Sequence, residues 1–417
     1  VKIERPRGTR DFLPDEMERR RAIEAVMRRI AESYGYREIA TPTFEHLELF
    51  TIKSGEGIIE EMYAFKDKGG RDLALRPELT APVVRLFVNE CSVMPKPLRF
   101  YYFANCFRYE RPQKGRYREF WQFGVELIGS SSYLADAEVI TLAYRIMEEL
   151  KLDFELHIGH VGLLRHLLRD VEEEKAAIVM RLIDKKDVEG LIKHLEEIKA
   201  PQDLSEAILS LIELSGGRDV LKDASELTGF DIGHMEKLCD VLDSMGVEYT
   251  IDLGIARGLD YYTGVVFEAY AEGLGAQNQI CGGGSYRLAH LFGGEDVPST
   301  GFALGFDRIV EICKLTPEEK KVVVVANVGL ENEAFKLADL LRRHGICAIT
   351  DVMGRNLKRQ LSFANDVNAR FAVIIGKKEI ESGRYTVKDM ASGESMQLEF
   401  DSLLEYLSSN IKYKKVN

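Results

Sequence analysis

The sequence predicts an α+β protein: a mostly antiparallel sheet domain interrupted by a helical segment, then a smaller α/β domain with a mainly parallel sheet. Three observations predict it. Strand-like apolar runs bounded by turn residues occupy 98–129 and return at 249–305. Residues 167–232 show helical spacing without strand alternation. After residue 320, "VVVVA", "CAIT" and "FAVIIG" alternate with helical segments at 331–344 and 356–367, the pattern of a mainly parallel sheet. These shifts divide the 417 residues into 1–166, an inserted 167–232, a return to the first domain at 233–319, and 320–417.

Residues 14–34 carry Ile23, Val26, Met27, Ile30, Ala31 and Tyr34 on one helical face, with Pro14, Asp15 and Glu16 suited to a first turn. "REIATPTF" is expected as a strand ending near Pro42, and "EMYAFKDKGGRDLALRP" as a hairpin turning at Gly69–Gly70. A short helix follows Thr80, with Pro82 in its first turn. Strands flank the charged stretch 107–123, then come a helix near 134–150 and a strand at "DFELHI". The inserted segment is acidic, with 16 acidic against 8 basic residues from Asp170 to Asp231. Strands return at "EYTIDLGIA", "GVVFEAYA" and "NQICGGGSY", and "GFALGFDRIVEIC" passes from small residues into a helix.

Composition excludes several classes. With 45% apolar and 30% charged residues the chain is neither disordered nor collagen-like. Its apolar runs are too short to span a bilayer, and no apolar segment near residue 1 marks a secretory signal. The six cysteines are spaced too widely for a CxxC metal knuckle or redox pair, which points to reduced thiols. The expectation is a soluble cytoplasmic protein without a membrane partner. Net charge is −12, yet residues 321–417 hold 15 basic against 12 acidic side chains, so the acidity lies in the preceding part.

In "FRYERPQKGRYREFWQFGVELIG", antiparallel strands would send Arg108 and Glu110 to one face, and Phe107 and Tyr109 to the other. Gln122, Gly124 and Glu126 would likewise oppose Trp121, Phe123, Val125 and Leu127. Two readings are open: a solvated face with a charged hairpin, or a sheet floor for a polar ligand. On the second, a basic flap bearing Arg111, Lys114, Arg116 and Arg118 would hold polyphosphate or nucleic acid. "LRPELTAP" sets Glu78 and Thr80 at a helix start, fit either to cap the helix or to take a ligand ammonium. "IARGLDYYTG" places Arg257, Asp260, Tyr261 and Tyr262 between strand-like runs, and "CGGGSY" with "GFALGFDR" brings glycines near Tyr286 and Arg308. Glycine in a strand allows a ligand to approach backbone, and an Arg near a helix start can meet an anion.

In order and combination these motifs resemble the histidyl-tRNA synthetase family of class II synthetases, nearly end to end. "GTRDFLP" resembles the family's N-terminal signature, the helix with "EIATPTF" motif 1, the 107–129 stretch motif 2 and "GFALGFDRI" motif 3. "ARGLDYYTG" and "CGGGSYRLAHLFGG" resemble the two histidine signatures. The second departs from the usual GGRYDGL, reading "GGGSYRLAHL" here.

The resemblance implies a class II catalytic sheet, a helical insertion and an anticodon-binding α/β domain. It also implies a two-step activity: histidine and ATP form histidyl-adenylate and pyrophosphate, then histidine passes to the 3′ end of its tRNA. Implied partners are tRNA, ATP and L-histidine, with Mg2+ entering with ATP and no resident metal, and a homodimer formed through motif 1. Arg108 would bind the α-phosphate beside Glu110, Arg308 the γ-phosphate, and Arg257 would bridge the amino-acid carboxylate and α-phosphate. Glu78, Thr80 and Gln122 would hold the substrate ammonium; Glu126 and Tyr262, with Tyr261 and Tyr286, would hydrogen-bond the imidazole. Arg111, Gln113, Lys114 and Arg116 would hold the tRNA acceptor end. Lys358, Arg359 and the Lys412–Lys415 tail would be candidate anticodon contacts. The competing implication is a histidine-sensing regulatory relative, which generally lacks the anticodon-binding domain and several catalytic positions.

Overall fold

The computed structural model describes residues 2–54, 56–111, 116–256, 261–275, 278–317 and 321–411, with backbone alone at 53, 54 and 56–58. The chain forms two compact units, Val1–Thr316 and Pro317–Asn417. The first opens with helix α1 (Pro14–Ser33), where Pro14 takes a position whose N–H needs no partner and Asp15 and Glu16 face the positive helix end. Its Ile23, Met27, Ile30 and Ala31 are buried.

"REIATPTF" is less regular than expected. Strand β1 covers only Arg37–Glu38, paired parallel with β5 (Leu98–Phe107). Beyond it, the Arg76 guanidinium takes the Thr41 carbonyl at 2.9 Å and the Pro42 carbonyl at 3.2 Å, so a side chain holds this segment in place of a ladder. The expected hairpin is present: β2 (Phe44–His46), β3 (Ala64–Lys66) and β4 (Asp72–Leu75) form a small sheet in the order β2-β4-β3. The Asp67 carboxylate ties its turn by accepting from the Gly69 and Arg71 amides at 2.8 and 2.9 Å. Helix α2 (Glu48–Ser54) lies between β2 and β3, and α3 (Thr80–Leu86) follows β4.

The main sheet joins β5 to β6 (Glu119–Ile128), β7 (Phe154–His160), β8 (Ser215–Gly216), β9 (Thr250–Asp252), β10 (Tyr262–Ala271), β11 (Gln279–Tyr286) and β12 (Ser299–Gly305). Its order is β1-β5-β6-β12-β11-β10-β7-β9-β8, antiparallel except where β1 meets β5 and β7 meets β9. Register decides which face each side chain takes. Phe123, Val125 and Leu127 of β6, Phe302 and Leu304 of β12, and Val265 and Phe267 of β10 enter one buried core with α1 and α4 (Tyr133–Glu149). The opposite face carries Gln122, Gly124 and Glu126, paired with Gly305, Ala303 and Gly301.

The helical segment comprises α5 (Val161–Leu167), α6 (Glu173–Asp184), α7 (Val188–Glu197), α8 (Gln202–Glu213), α9 (Val220–Thr228) and α10 (Gly233–Ser244). Val179, Leu191, Ile208 and Leu221 share the core beneath the sheet, so these helices are continuous with the rest of the first unit. The first unit closes with α11 (Phe306–Ile312).

In the second unit β13 (Val323–Asn327), β14 (Ala348–Thr350) and β15 (Phe371–Ile375) are parallel, alternating with α12 (Glu331–Arg343) and α13 (Leu357–Asp366). After α14 (Lys377–Ser382), β16 (Arg384–Asp389) and β17 (Ser395–Glu399) extend the sheet antiparallel, giving the order β14-β13-β15-β16-β17 before α15 (Phe400–Ile411). The sheet is therefore mixed rather than mainly parallel. The added hairpin alternates Tyr385 and Val387 on β16, and Met396 and Leu398 on β17, with polar residues, but only Val387 is fully buried and no continuous apolar run marks the strands.

Candidate active site

The site lies on the small-residue face of the main sheet. At Gly301 a Cβ would stand 2.1 Å from a Glu126 oxygen and 2.4 Å from the Val125 carbonyl; at Gly124 it would stand 2.3 Å from the Tyr102 hydroxyl. Neither position has room for a side chain, and their glycines leave a floor on which Glu126 and Gln122 stand.

An inner cavity of about 60 Å³ is lined by Glu78, Thr80, Tyr102, Gln122, Glu126 and the tyrosines 261, 262 and 286. Glu126 is buried and accepts from Thr80 Oγ1 at 2.9 Å and from the Tyr286 hydroxyl at 2.6 Å. Burial pushes its carboxyl up to about 8; the bonds from Tyr286 and Thr80 oppose this, and Glu78 adds to it. It is Glu78, not Thr80, that caps α3, accepting from the Thr80 and Ala81 amides at 2.5 and 3.1 Å, while the Thr80 hydroxyl turns into the cavity. Burial raises the Glu78 carboxyl too. The three tyrosine rings make one wall: Tyr261 lies 4.9 Å from Tyr262 and 5.6 Å from Tyr286, centroid to centroid.

Gln122, Arg108, Gly282 and Ala303 belong both to this cavity and to an outer cleft of about 220 Å³. The cleft gathers Arg108, Arg116 and Arg308 with Glu110, Tyr117 and Gln279. Arg108 lies just past β5, its Nε on the Pro77 carbonyl at 3.0 Å. Arg116 pairs with Glu110 at 2.6 Å, and Arg308 on α11 donates to the Gln279 carbonyl at 2.6 Å. The Arg308 pKa is lowered, by burial first and then by Arg116 and Arg108. A fold that crowds guanidinium groups at such expense is matched to a polyanion.

Below α11, buried Asp307 accepts from Arg20 at 2.7 Å, from the Trp121 amide at 2.7 Å, and from Arg10. This ties the "GTRDFLP" segment and α1 to β6 and to the first turn of α11, one residue before Arg308.

Of the residues singled out in sequence, Glu78, Thr80, Arg108, Glu110, Arg116, Gln122, Glu126, Tyr261, Tyr262, Tyr286 and Arg308 line the two connected cavities. Arg111 is exposed at the edge of the motif 2 loop. Arg257, Gln113, Lys114 and the Lys412–Lys415 tail lie outside the described residues; Lys358 and Arg359 are exposed on α13. Tyr109 corrects the alternation: β5 ends at Phe107, and Tyr109 is exposed, edge-on to Tyr63 with the Arg118 guanidinium 4.2 Å from its ring, not in the core. Sequence reasoning missed Tyr102 and Gln279. Tyr102 was findable, since it stands opposite Gly124 in an alternating strand; Gln279, opposite Tyr270 at the start of β11, reaches the cleft only through long-range strand pairing.

Residues 8–309 match the family described as "Histidyl-tRNA synthetase", and residues 320–410 match "Anticodon binding domain". The histidine–tRNA ligase of Archaeoglobus fulgidus is 64% identical over 408 residues, covering 98% of this chain and 100% of that one. The apo histidyl-tRNA synthetase of S. aureus superposes with a TM-score of 0.74 at 30% identity, covering 97% of this chain and all of that one. A Bacillus halodurans structure described as an ATP phosphoribosyltransferase regulatory subunit/histidyl-tRNA synthetase gives a TM-score of 0.77 at 30% identity, over 90% of this chain and 99% of that one.

Proposed function

The chain belongs to the histidyl-tRNA synthetase family of class II aminoacyl-tRNA ligases, and from this premise we propose how its residues divide the work. The observation that carries the proposal is the shared wall: an enclosed pocket around Glu126 opens past Gln122 and Arg108 into a cleft crowded with guanidinium groups.

Histidine sits in the inner pocket. Glu126, Tyr286, Tyr261 and Tyr262 meet its imidazole, and Glu78, Thr80 and Gln122 receive its ammonium group. A buried polar pocket of this kind rejects isosteres lacking the imidazole nitrogens, because its own groups would be left unpaired, a discrimination of about 10⁴–10⁵. ATP occupies the outer cleft. The histidine carboxylate is already ionised and attacks the α-phosphorus in line, forming the adenylate as the bond to the leaving pyrophosphate breaks, so no general base is required. Arg108 neutralises charge on the α-phosphate beside Glu110, Arg308 holds the γ-phosphate, and Arg257 bridges substrate carboxylate and α-phosphate. Magnesium enters as part of MgATP.

In transfer, the terminal ribose hydroxyl of the tRNA attacks the adenylate carbonyl, forming the ester as the carboxyl–phosphate bond breaks. AMP leaves with the hydroxyl proton passing to its phosphate, while Arg111, Gln113, Lys114 and Arg116 hold the acceptor end. The second unit reads the anticodon, with Lys358, Arg359 and the Lys412–Lys415 tail as candidate contacts. The working form is a cytoplasmic homodimer; no described helix is long and apolar enough to cross a membrane.

Histidine-dependent ATP–pyrophosphate exchange tests the reading. Exchange with histidine and not with other amino acids is expected, and Arg257→Ala should abolish it in a folded protein. Histidine binding without exchange would favour a regulatory protein instead.

A further inference from the structure

Ser285 and Tyr286 are consecutive on β11, and their side chains leave opposite faces of the sheet. Tyr286 enters the inner pocket and bonds Glu126. Ser285 points beneath, where its hydroxyl donates to Asp136 Oδ1 at 2.7 Å. Asp136, in the first turn of α4, is 5% exposed. Its second oxygen lies 2.9 Å from His234 Nε2, on α10 at the exit of the helical segment.

Two features make this connection matter for Tyr286. First, pairing between β10 and β11 is irregular here: Tyr262 faces Tyr286 and Val266 faces Gly284, so Thr263, Gly264 and Val265 stand against Ser285 alone. The Ser285 carbonyl takes the Thr263 hydroxyl at 3.4 Å. Second, this end of the strand is not packed from below. A cavity of about 220 Å³ lies there, lined by Asp136, His160, His234, Thr263, Ser285 and Tyr286. On its other edge β11 keeps a regular ladder, with Ser285 opposite Thr300 and Tyr286 opposite Ser299 of β12. On the β10 edge and from below that support is missing, and there a hydrogen bond to a buried carboxylate, among the stronger kinds, supplies the remaining restraint.

We propose that Asp136, held by His234 and bonded to Ser285, is a positioning residue that sets the height of the Tyr286 hydroxyl over Glu126 and so tunes histidine recognition. Asp136 touches no substrate; it acts through the strand. Because His234 begins the helix that leaves the insertion, the docking of that helix and the shape of the histidine pocket are joined through one carboxylate. Ser285 also stands within the signature that departs from the family's usual GGRYDGL, so this connection belongs to the altered stretch itself. The inference rests on the reading of Tyr286 and Glu126 as the imidazole site.

The test is ATP–pyrophosphate exchange by the full chain, with KM measured separately for histidine and ATP, on Ser285→Ala, Ser285→Thr, Asp136→Asn and, as control, Tyr286→Phe. Ser285→Ala should raise the histidine KM about three- to tenfold, the size of one hydrogen bond, with the ATP KM within about twofold. Ser285→Thr, which keeps the hydroxyl, should restore most of the loss, and Asp136→Asn, which still accepts from Ser285, should fall between. Tyr286→Phe should raise the histidine KM by at least as much as Ser285→Ala. An unchanged histidine KM in Ser285→Ala beside a raised one in Tyr286→Phe overturns this proposal alone. Unchanged values in both overturn the pocket assignment beneath it. A parallel rise for both substrates in Ser285→Ala, or no rescue by threonine, assigns Ser285 a general structural role and overturns the proposal as well.

Discussion

Tyr286 donates its hydroxyl to the Glu126 carboxyl over 2.6 Å, with the two residues 2% and 1% exposed. That bond and the one from Thr80 do not offset burial, and the Glu126 carboxyl is pushed up to about 8. At neutral pH the folded protein retains a proton that the unfolded chain has released.

The sign of the resulting pH dependence follows. Between the unfolded carboxyl value, about 4.3, and the folded value of about 8, the native state binds the extra proton, so the unfolding free energy falls as pH rises. Glu126→Gln removes this titration. The variant's melting temperature should vary less between pH 5 and pH 8.5 than the parent's, and at pH 8.5 the variant should melt higher, by about 1–1.5 °C per kcal/mol relieved in a unit of this size. Parallel melting profiles for the two proteins would show that Glu126 titrates normally.

Arg308 should separate activity from stability. Burial and the neighbouring Arg116 and Arg108 lower its pKa, so its charge burdens the fold. Arg308→Met should lower exchange by about 10²–10³, the usual effect of removing one charge-stabilising donor, while melting no lower than the parent. A melting temperature that drops in step with activity would make Arg308 a structural residue.

How much of this site was legible depended on sequence distance. Alternation over 119–128 placed Gln122 and Glu126 opposite Phe123, Val125 and Leu127, because one strand's faces follow from its own period. The floor was not legible in the same way: β6 neighbours β12 across more than a hundred residues of chain. No local pattern encodes that Gly301 must lie flat against Glu126, or that Asp307 must hold Arg20 and the Trp121 amide together. Tyr109 misled for the opposite reason: its local alternation is sound, but the strand ends before reaching it. The β16–β17 hairpin alternates apolar and polar residues, but its strands are only six and five residues long and hold no continuous apolar run like those of β13 and β15, so it went unplaced.

Gly301 gives a direct test of the floor. A methyl group there would meet the Val125 carbonyl at 2.4 Å and the Glu126 carboxylate at 2.1 Å. The carbonyl belongs to the backbone of a paired central strand and cannot yield cheaply. Gly301→Ala should destabilise by about 1–3 kcal/mol and raise the histidine KM, because Glu126 must move to admit the methyl. Calorimetry and exchange kinetics check both. An alanine variant with parental melting and parental histidine KM would mean the floor is looser than its distances imply.

The last prediction concerns the division of labour between the two units. The first has its own core around Val125, Ile140 and Phe267, and the second a separate one around Val325, Leu341 and Val373. Every described residue of both cavities lies before Thr316. A chain ending after Thr316 therefore keeps the groups assigned to adenylate formation and loses those assigned to the anticodon. Its histidine-dependent exchange should stay within about tenfold of the full chain, roughly 1.4 kcal/mol. Its charging of tRNA should fall further, by about 10²-fold or more, with most of the loss in the KM for tRNA, since removing a remote binding surface weakens uniform binding before it slows chemistry. Loss of exchange in a truncated protein that still melts cooperatively would place part of the activation machinery in the second unit. Undiminished charging would remove the second unit from tRNA recognition.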